Sequence, residues 1–228
     1  MRHNVGVVIP CFRRLNLRRL NLRRLNAPLL AYWGCLLGTL YLFAELAGEV
    51  YEREGFFFDA PILDALAAHQ TAWLVGAART LSTVASPLAL GSLAAALALY
   101  LGFRHRRAAV FLGGGFGGAM LLNLLFKLLF ARVHPALFGQ LTPAPGFSFP
   151  SGHAMGSAAF SLTVYLLVRE FAPHRRALAA ALGVLLTLAV GLSRLVLQVH
   201  YPSDVLAGWA LSAAWVLGVN VWYARTRR

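Results

Sequence analysis

Apolar residues fall into long blocks separated by short polar connections. Six blocks, 28–48, 82–103, 108–130, 152–169, 177–198 and 204–224, approach the roughly 20 residues that a helix needs to cross a hydrocarbon layer about 30 Å thick. The second carries no charge from Leu81 to Phe103, and in the sixth the stretch VLAGWALSAAWVLGVNVWYA, residues 205–224, carries none. The pattern predicts an all-α polytopic membrane protein: a bundle of six transmembrane helices over residues 28–228, preceded by a basic tail at 1–27. Composition agrees. Hydrophobic residues are 59% of the chain and charged ones 13%, more apolar surface than a soluble domain of 228 residues can hide.

Charge then orients the bundle. The net charge of +13 is concentrated at one end of the predicted spans and does not point to nucleic acid. Arg2, Arg13, Arg14, Arg18, Arg19, Arg23 and Arg24 lie in the tail. Arg104, Arg106 and Arg107 join spans two and three, Arg169, Arg175 and Arg176 flank the next such turn, and Arg225, Arg227 and Arg228 end the sequence. These are 16 of the 21 basic residues. The positive-inside rule puts that side, and both termini, in the cytoplasm. The connections at 49–81, 131–151 and 199–203 then face outward.

The tail repeats RRLNL between Arg13 and Asn26; it reads as a topology signal that also touches anionic lipid. In the first outward connection, Phe56, Phe57, Phe58, Ile62, Leu63 and Leu66 beside Asp59, Asp64 and His69 predict a short helix lying on the membrane surface, its acids on the solvated side. GGGFGG at 113–118 sits inside an apolar run, where close helix packing explains it better than a phosphate loop. Cys11 and Cys35 have neither CxxC nor metal-ligand spacing.

The remaining ionisable residues gather at the outward end, and such residues within a membrane protein mark function. Lys127, the chain's only lysine, ends span three, and Arg132 and His134 follow it. Pro150-Ser151-Gly152-His153 opens span four, Arg194 ends span five, and His200 precedes Asp204 at the start of span six. Lys127, Arg132 and Arg194 suit a tetrahedral oxyanion. The Ser151 hydroxyl and the Gly152 N–H can meet an anion at a helix N-terminus, and glycine removes a side chain from its approach. A carboxylate four residues after His200 can fix the imidazole tautomer and leave the other nitrogen nucleophilic. His153 is placed to act as an acid. Two histidines and an aspartate could hold zinc, but three fixed cations in one pocket would repel a metal and attract phosphate.

Residues 127–135, 150–153 and 193–204 resemble the three signature motifs of the type-2 phosphatidic acid phosphatase superfamily: K-x6-R-P, P-S-G-H and S-R-x5-H-x3-D. The resemblance implies a metal-independent, cofactor-free lipid phosphatase working through a phosphohistidine. His200 would be the nucleophile, Asp204 its orienting group and His153 the proton donor. Lys127, Ser151, Gly152 and Arg194 would bind the phosphoryl oxygens. Polyprenyl diphosphate, phosphatidic acid and phosphatidylglycerol phosphate are the substrates it suggests, at the external side of a bacterial plasma membrane. A lipid phosphotransferase, or a non-catalytic lipid-binding or transport protein, are the alternatives. One position departs: His134-Pro135 stands where the first motif has Arg-Pro. Arg132, two residues earlier, is the expected substitute for that guanidinium, since an extended loop keeps both side chains on one side.

Overall fold

The computed structural model describes residues 27–135, 141–142 and 145–226; the arginine tail and its repeat lie outside them. Eight α-helices follow in order: α1 Ala27–Tyr51, α2 Asp59–Ala68, α3 Ala72–Val84, α4 Pro87–Gly102, α5 Arg106–Phe130, α6 Gly152–Phe171, α7 Arg176–Val196 and α8 Pro202–Arg225. The described residues form no strand.

Local signals set the boundaries. Ser86 caps α4, its hydroxyl accepting from the Ala89 N–H at 3.2 Å, with Pro87 in the first turn where a missing N–H costs nothing. That cap corrects the expected unbroken helix over 82–103: residues 82–84 end the separate helix α3, and α4 begins at Pro87. Thr71 caps α3 in the same way. The connection between α1 and α4 therefore holds two helices, where one was expected. α2 matches the predicted position, but Asp59 is not on a solvated face: it is 4% exposed. Asp64 is exposed as expected.

Among the described residues, five helical stretches are long and apolar enough to cross a membrane, α3 and α4 being taken together. Of the six predicted spans, α6 is the one whose composition falls short. Its position explains why: α6 packs on α4, α5, α7 and α8, and buries Ser157, Ser161 and Thr163. A helix surrounded by protein has little contact with lipid and tolerates hydroxyls that bond its own carbonyls, as Thr163 does to Ala159 at 2.7 Å. The outer helices show the converse, exposing Leu99, Leu121, Leu128, Leu129, Leu182 and Leu185. Such a leucine-rich exterior suits lipid and is foreign to a soluble surface.

The glycine run on α5 does pack closely. A Cβ on Gly115 would stand 2.7 Å from the Thr163 hydroxyl on α6, and one on Gly118 would stand 2.3 Å from the Trp215 ring on α8. The Trp215 indole also donates to the Gly114 carbonyl at 2.9 Å. α1 closes the bundle against α8, where the Tyr32 hydroxyl donates to the Leu217 carbonyl at 2.5 Å. α3 lies against α7, and α2 contacts both α7 and α8, so the α2–α3 segment covers one end of the bundle.

Candidate active site

That covered end is where α5, α6, α7 and α8 bring the ionisable residues together. Ala131 ends α5 in the left-handed conformation, φ 46°, and turns the chain into an extended strip. Val133 points outward, 76% exposed, while Arg132 and His134 point inward. Arg132 and His134 thus share one side of this strip, but the two side chains serve different neighbours.

His200, 3% exposed, presents Nδ1 to the Asp204 carboxylate at 3.3 Å. Asp204 has no exposed surface and lies in the first turn of α8. The same carboxylate oxygen accepts the Tyr201 backbone N–H at 3.0 Å, so helix capping and imidazole orientation share one atom. The approach to His200 is made by Gln198, whose φ of 59° reverses the chain after α7. Burial pushes the His200 pKa down to about 4 against the opposing pull of Asp204. The imidazole is thus neutral at ordinary pH, and with its Nδ1–H facing Asp204 it has a lone pair on Nε2.

Around this dyad stand buried polar atoms that no protein group satisfies: Ser151 Oγ, Arg194 Nε and His134 Nε2. Buried polar atoms without partners are costly; Ser151 Oγ and Arg194 Nε carry hydrogens, and two such donors fit an anion with several acceptor oxygens, whereas His134 Nε2 joins them only when its ring is protonated. Arg194 is 5% exposed and its terminal nitrogen bonds the Ser82 hydroxyl on α3. Lys127 reaches the Phe147 carbonyl. Ser151 enters α6 with its N–H donating to the Asp204 carbonyl at 3.1 Å, tying the second motif to the third. Gly152 has a reason beyond anion approach: a Cβ there would meet Asn123 Oδ1 at 3.0 Å, and Asn123 also donates to the Pro150 carbonyl at 2.9 Å.

His153 places Nε2 3.1 Å from the Ser82 carbonyl and 3.3 Å from its hydroxyl. A carbonyl partner selects the Nε2–H tautomer and leaves Nδ1 for proton exchange. Ser82 therefore touches both His153 and Arg194. It carries no motif, and its link to the site was not visible in the sequence.

His134 and Arg132 have different surroundings. The His134 ring lies 5.0 Å from the His200 ring, centroid to centroid, with Nδ1 donating to the Val199 carbonyl at 2.5 Å. Its Nε2 can donate only when the ring is protonated, and burial lowers its pKa. Arg132, expected to replace the missing guanidinium, has both terminal nitrogens engaged elsewhere. One bonds Asp204 at 2.6 Å and Ser203 at 2.8 Å, the other Asp59 at 2.9 Å. Its guanidinium also sits 4.1 Å from the Tyr201 ring centroid. Gripping phosphate would require breaking this set. Asp59 itself, expected on the solvated side, accepts from the Ser203 N–H at 2.9 Å and hydroxyl at 2.6 Å.

Fold and site together define a helical membrane protein with a buried histidine–aspartate pair at one end of the bundle. Residues 108–228 match the family model of the PAP2 superfamily. A phosphatidylglycerophosphatase B of Bacillus subtilis is 39% identical over 100 residues, 42% of this chain and 48% of that protein. The chain therefore spans about half the length of that relative. A decaprenylphosphoryl-5-phosphoribose phosphatase of Mycobacterium tuberculosis is 30% identical over 179 residues, 77% of this chain and 85% of that one. The solved structure of a transmembrane PAP2-type phosphatidylglycerolphosphate phosphatase from Bacillus subtilis shares the fold, with a TM-score of 0.76, 24% identity, and coverage of 86% of this chain and 98% of its own. The chain belongs to the PAP2 superfamily.

Proposed function

We propose that this protein is a lipid phosphatase that removes a terminal phosphate from a membrane lipid through a phosphohistidine on His200. The observation that carries the reading is the convergence of an oriented, neutral imidazole with unpartnered buried donors at Ser151 and Arg194. The relatives named as phosphatases support hydrolysis of a lipid phosphate.

His200 Nε2 attacks phosphorus, and the bond to the leaving oxygen breaks as His153 gives it a proton. Lys127, Arg194, Ser151 and the Gly152 N–H meet the negative charge on the phosphoryl oxygens, where fixed donors in a water-poor site act most strongly. His153, now neutral, takes a proton from water, which attacks the phosphohistidine, releases phosphate and restores His200. The fixed cations supply the charge that a metal ion would otherwise provide, so no metal is needed.

The substrate is a phosphomonoester or diphosphate on a lipid: polyprenyl diphosphate, phosphatidic acid or phosphatidylglycerol phosphate. An apolar cavity of about 400 Å³ between α6, α7 and α8 supports a hydrocarbon-tailed substrate. Its lining includes Ala158, Leu188 and Trp209, five or six residues along their helices from His153, Arg194 and Asp204, about 8 Å at the helical rise. The arginine distribution supports an outward-facing site with cytoplasmic termini in a bacterial plasma membrane. The test is phosphate release by purified protein from a panel of lipid phosphates and diphosphates with EDTA present. Release from at least one, lost in His200→Ala, supports the reading. Release that EDTA abolishes, or transfer only to a second lipid, refutes it.

A further inference from the structure

We propose that Arg132 and Asp59 form a positioning pair for the His200–Asp204 dyad, which makes the short helix α2 part of the catalytic architecture. The inference rests on the phosphatase reading for its consequence in turnover, but its geometry stands separately. Asp204 has two carboxylate oxygens with distinct tasks. Oδ2 takes the His200 Nδ1–H and the Tyr201 N–H; Oδ1 takes the Arg132 guanidinium at 2.6 Å. The carboxylate plane, and so the direction of Oδ2, is fixed from the Arg132 side.

Arg132 is itself held. Asp59 bonds its other terminal nitrogen at 2.9 Å, and Tyr201 lies against its face at 4.1 Å. Asp59 also accepts from both the backbone and the side chain of Ser203, the residue before Asp204. One acid from α2 thus clamps the first turn of α8 and the arginine that aims its catalytic carboxylate. Asp59, Ser203 and Asp204 are each at most 4% exposed. Buried charges are retained only where their hydrogen bonds are nearly complete, as here. Both terminal nitrogens of the guanidinium are taken up by Asp59, Ser203 and Asp204, so it acts through Asp204 and not on phosphate.

The charged and titratable groups around the dyad are Lys127 on α5, Arg132 and His134 after it, Asp59 on α2, His153 on α6, Arg194 on α7, and Tyr201 beside it. Removing Arg132 takes a positive charge from this set, and removing the Asp59 charge takes a negative one. The two changes therefore move the His200 proton affinity in opposite directions, which mere loosening of the fold would not do.

The test uses full-length protein in detergent with Arg132→Gln, Arg132→Lys and Asp59→Asn. Histidine NMR titration, with the His200 signal assigned by His200→Gln, reads the dyad without substrate. Arg132→Gln should raise the His200 pKa, Asp59→Asn should lower it, and Arg132→Lys should stay near wild type. Turnover should fall about 10–100-fold in Arg132→Gln, as for removal of a partner that orients a catalytic ligand. The inhibition constant of inorganic phosphate should stay within about threefold, far below the tenfold that 1.4 kcal/mol represents. Phosphate inhibition weakening in step with turnover would make Arg132 a phosphate ligand and overturn the proposal. So would His200 shifts of the same sign, or none, in Arg132→Gln and Asp59→Asn. If Arg132→Gln does not fold, Asp59→Asn and Arg132→Lys decide on the same measurements. If wild type releases phosphate from no lipid, the phosphatase reading fails while the NMR titration still decides the pair.

Discussion

Asp204→Asn isolates orientation from nucleophilicity, because it leaves His200 in place and changes one atom type. The carboxylate meets donors on both oxygens: Arg132 at 2.6 Å on one, His200 Nδ1 at 3.3 Å and the Tyr201 N–H at 3.0 Å on the other. An amide has one acceptor oxygen, so its NH2 must face donors on one side. Facing a buried guanidinium is the worse choice, and the oxygen stays with Arg132. The NH2 then meets His200 Nδ1, which can accept only as a lone pair. The imidazole proton moves to Nε2, the nitrogen that must attack. Asparagine at the orienting position of a histidine triad lowers turnover about 10⁴-fold by this route. Here a loss of about 10³–10⁴-fold is expected, roughly 4–5.5 kcal/mol of transition-state stabilisation. Stability should fall too, because a hydrogen bond to a charged group is worth about 1.5–3 kcal/mol. The assay is lipid-phosphate turnover at a temperature where a melting curve shows both proteins folded. A folded Asp204→Asn enzyme within about tenfold of wild type would refute the tautomer argument.

Other consequences follow from the same geometry. His134 donates from Nε2 only when protonated, and burial lowers its pKa, so apparent substrate affinity should weaken as pH rises through a region below the ordinary 6.5. His134→Arg should flatten that part of the KM profile; the substrate's own second ionisation, near pH 6, is common to both enzymes and cancels in the comparison. An unchanged KM profile in the variant would contradict the role. Gly118→Ala should lower the melting temperature by the equivalent of about 1–3 kcal/mol because its Cβ meets Trp215 at 2.3 Å, whereas Gly117→Ala, with nothing within 4 Å, should not. With Cys11 and Cys35 replaced by serine, a cysteine at Gly146 should react with an impermeant thiol reagent in intact cells and one at Phe103 should not; the opposite pattern would invert the topology.

Much of the fold was legible because lipid imposes a simple demand: long apolar runs and basic turns on one side. α6 shows the limit of that logic, since a helix shielded by its neighbours need not be apolar. The site motifs were legible because each residue type carries its chemistry in local spacing, as with His200 and Asp204. Asp59 and Ser82 were not, for the converse reason. Their partners, Arg132 and Ser203 for one, His153 and Arg194 for the other, lie more than 70 residues away in sequence. No periodicity in 49–86 signals that the segment folds back over the bundle end. Arg132 was legible as an inward-facing cation but not in its contacts, which include Asp59.

The central claim is that phosphate passes through His200. Rapid acid-free quenching of wild type with lipid carrying a radiolabelled terminal phosphate tests it most directly. The account predicts transient label on the protein that is stable to alkali, labile to acid, located on the peptide containing His200 and absent from His200→Ala. Turnover of the His200→Ala protein at a wild-type rate, or label on a residue other than His200, would contradict it.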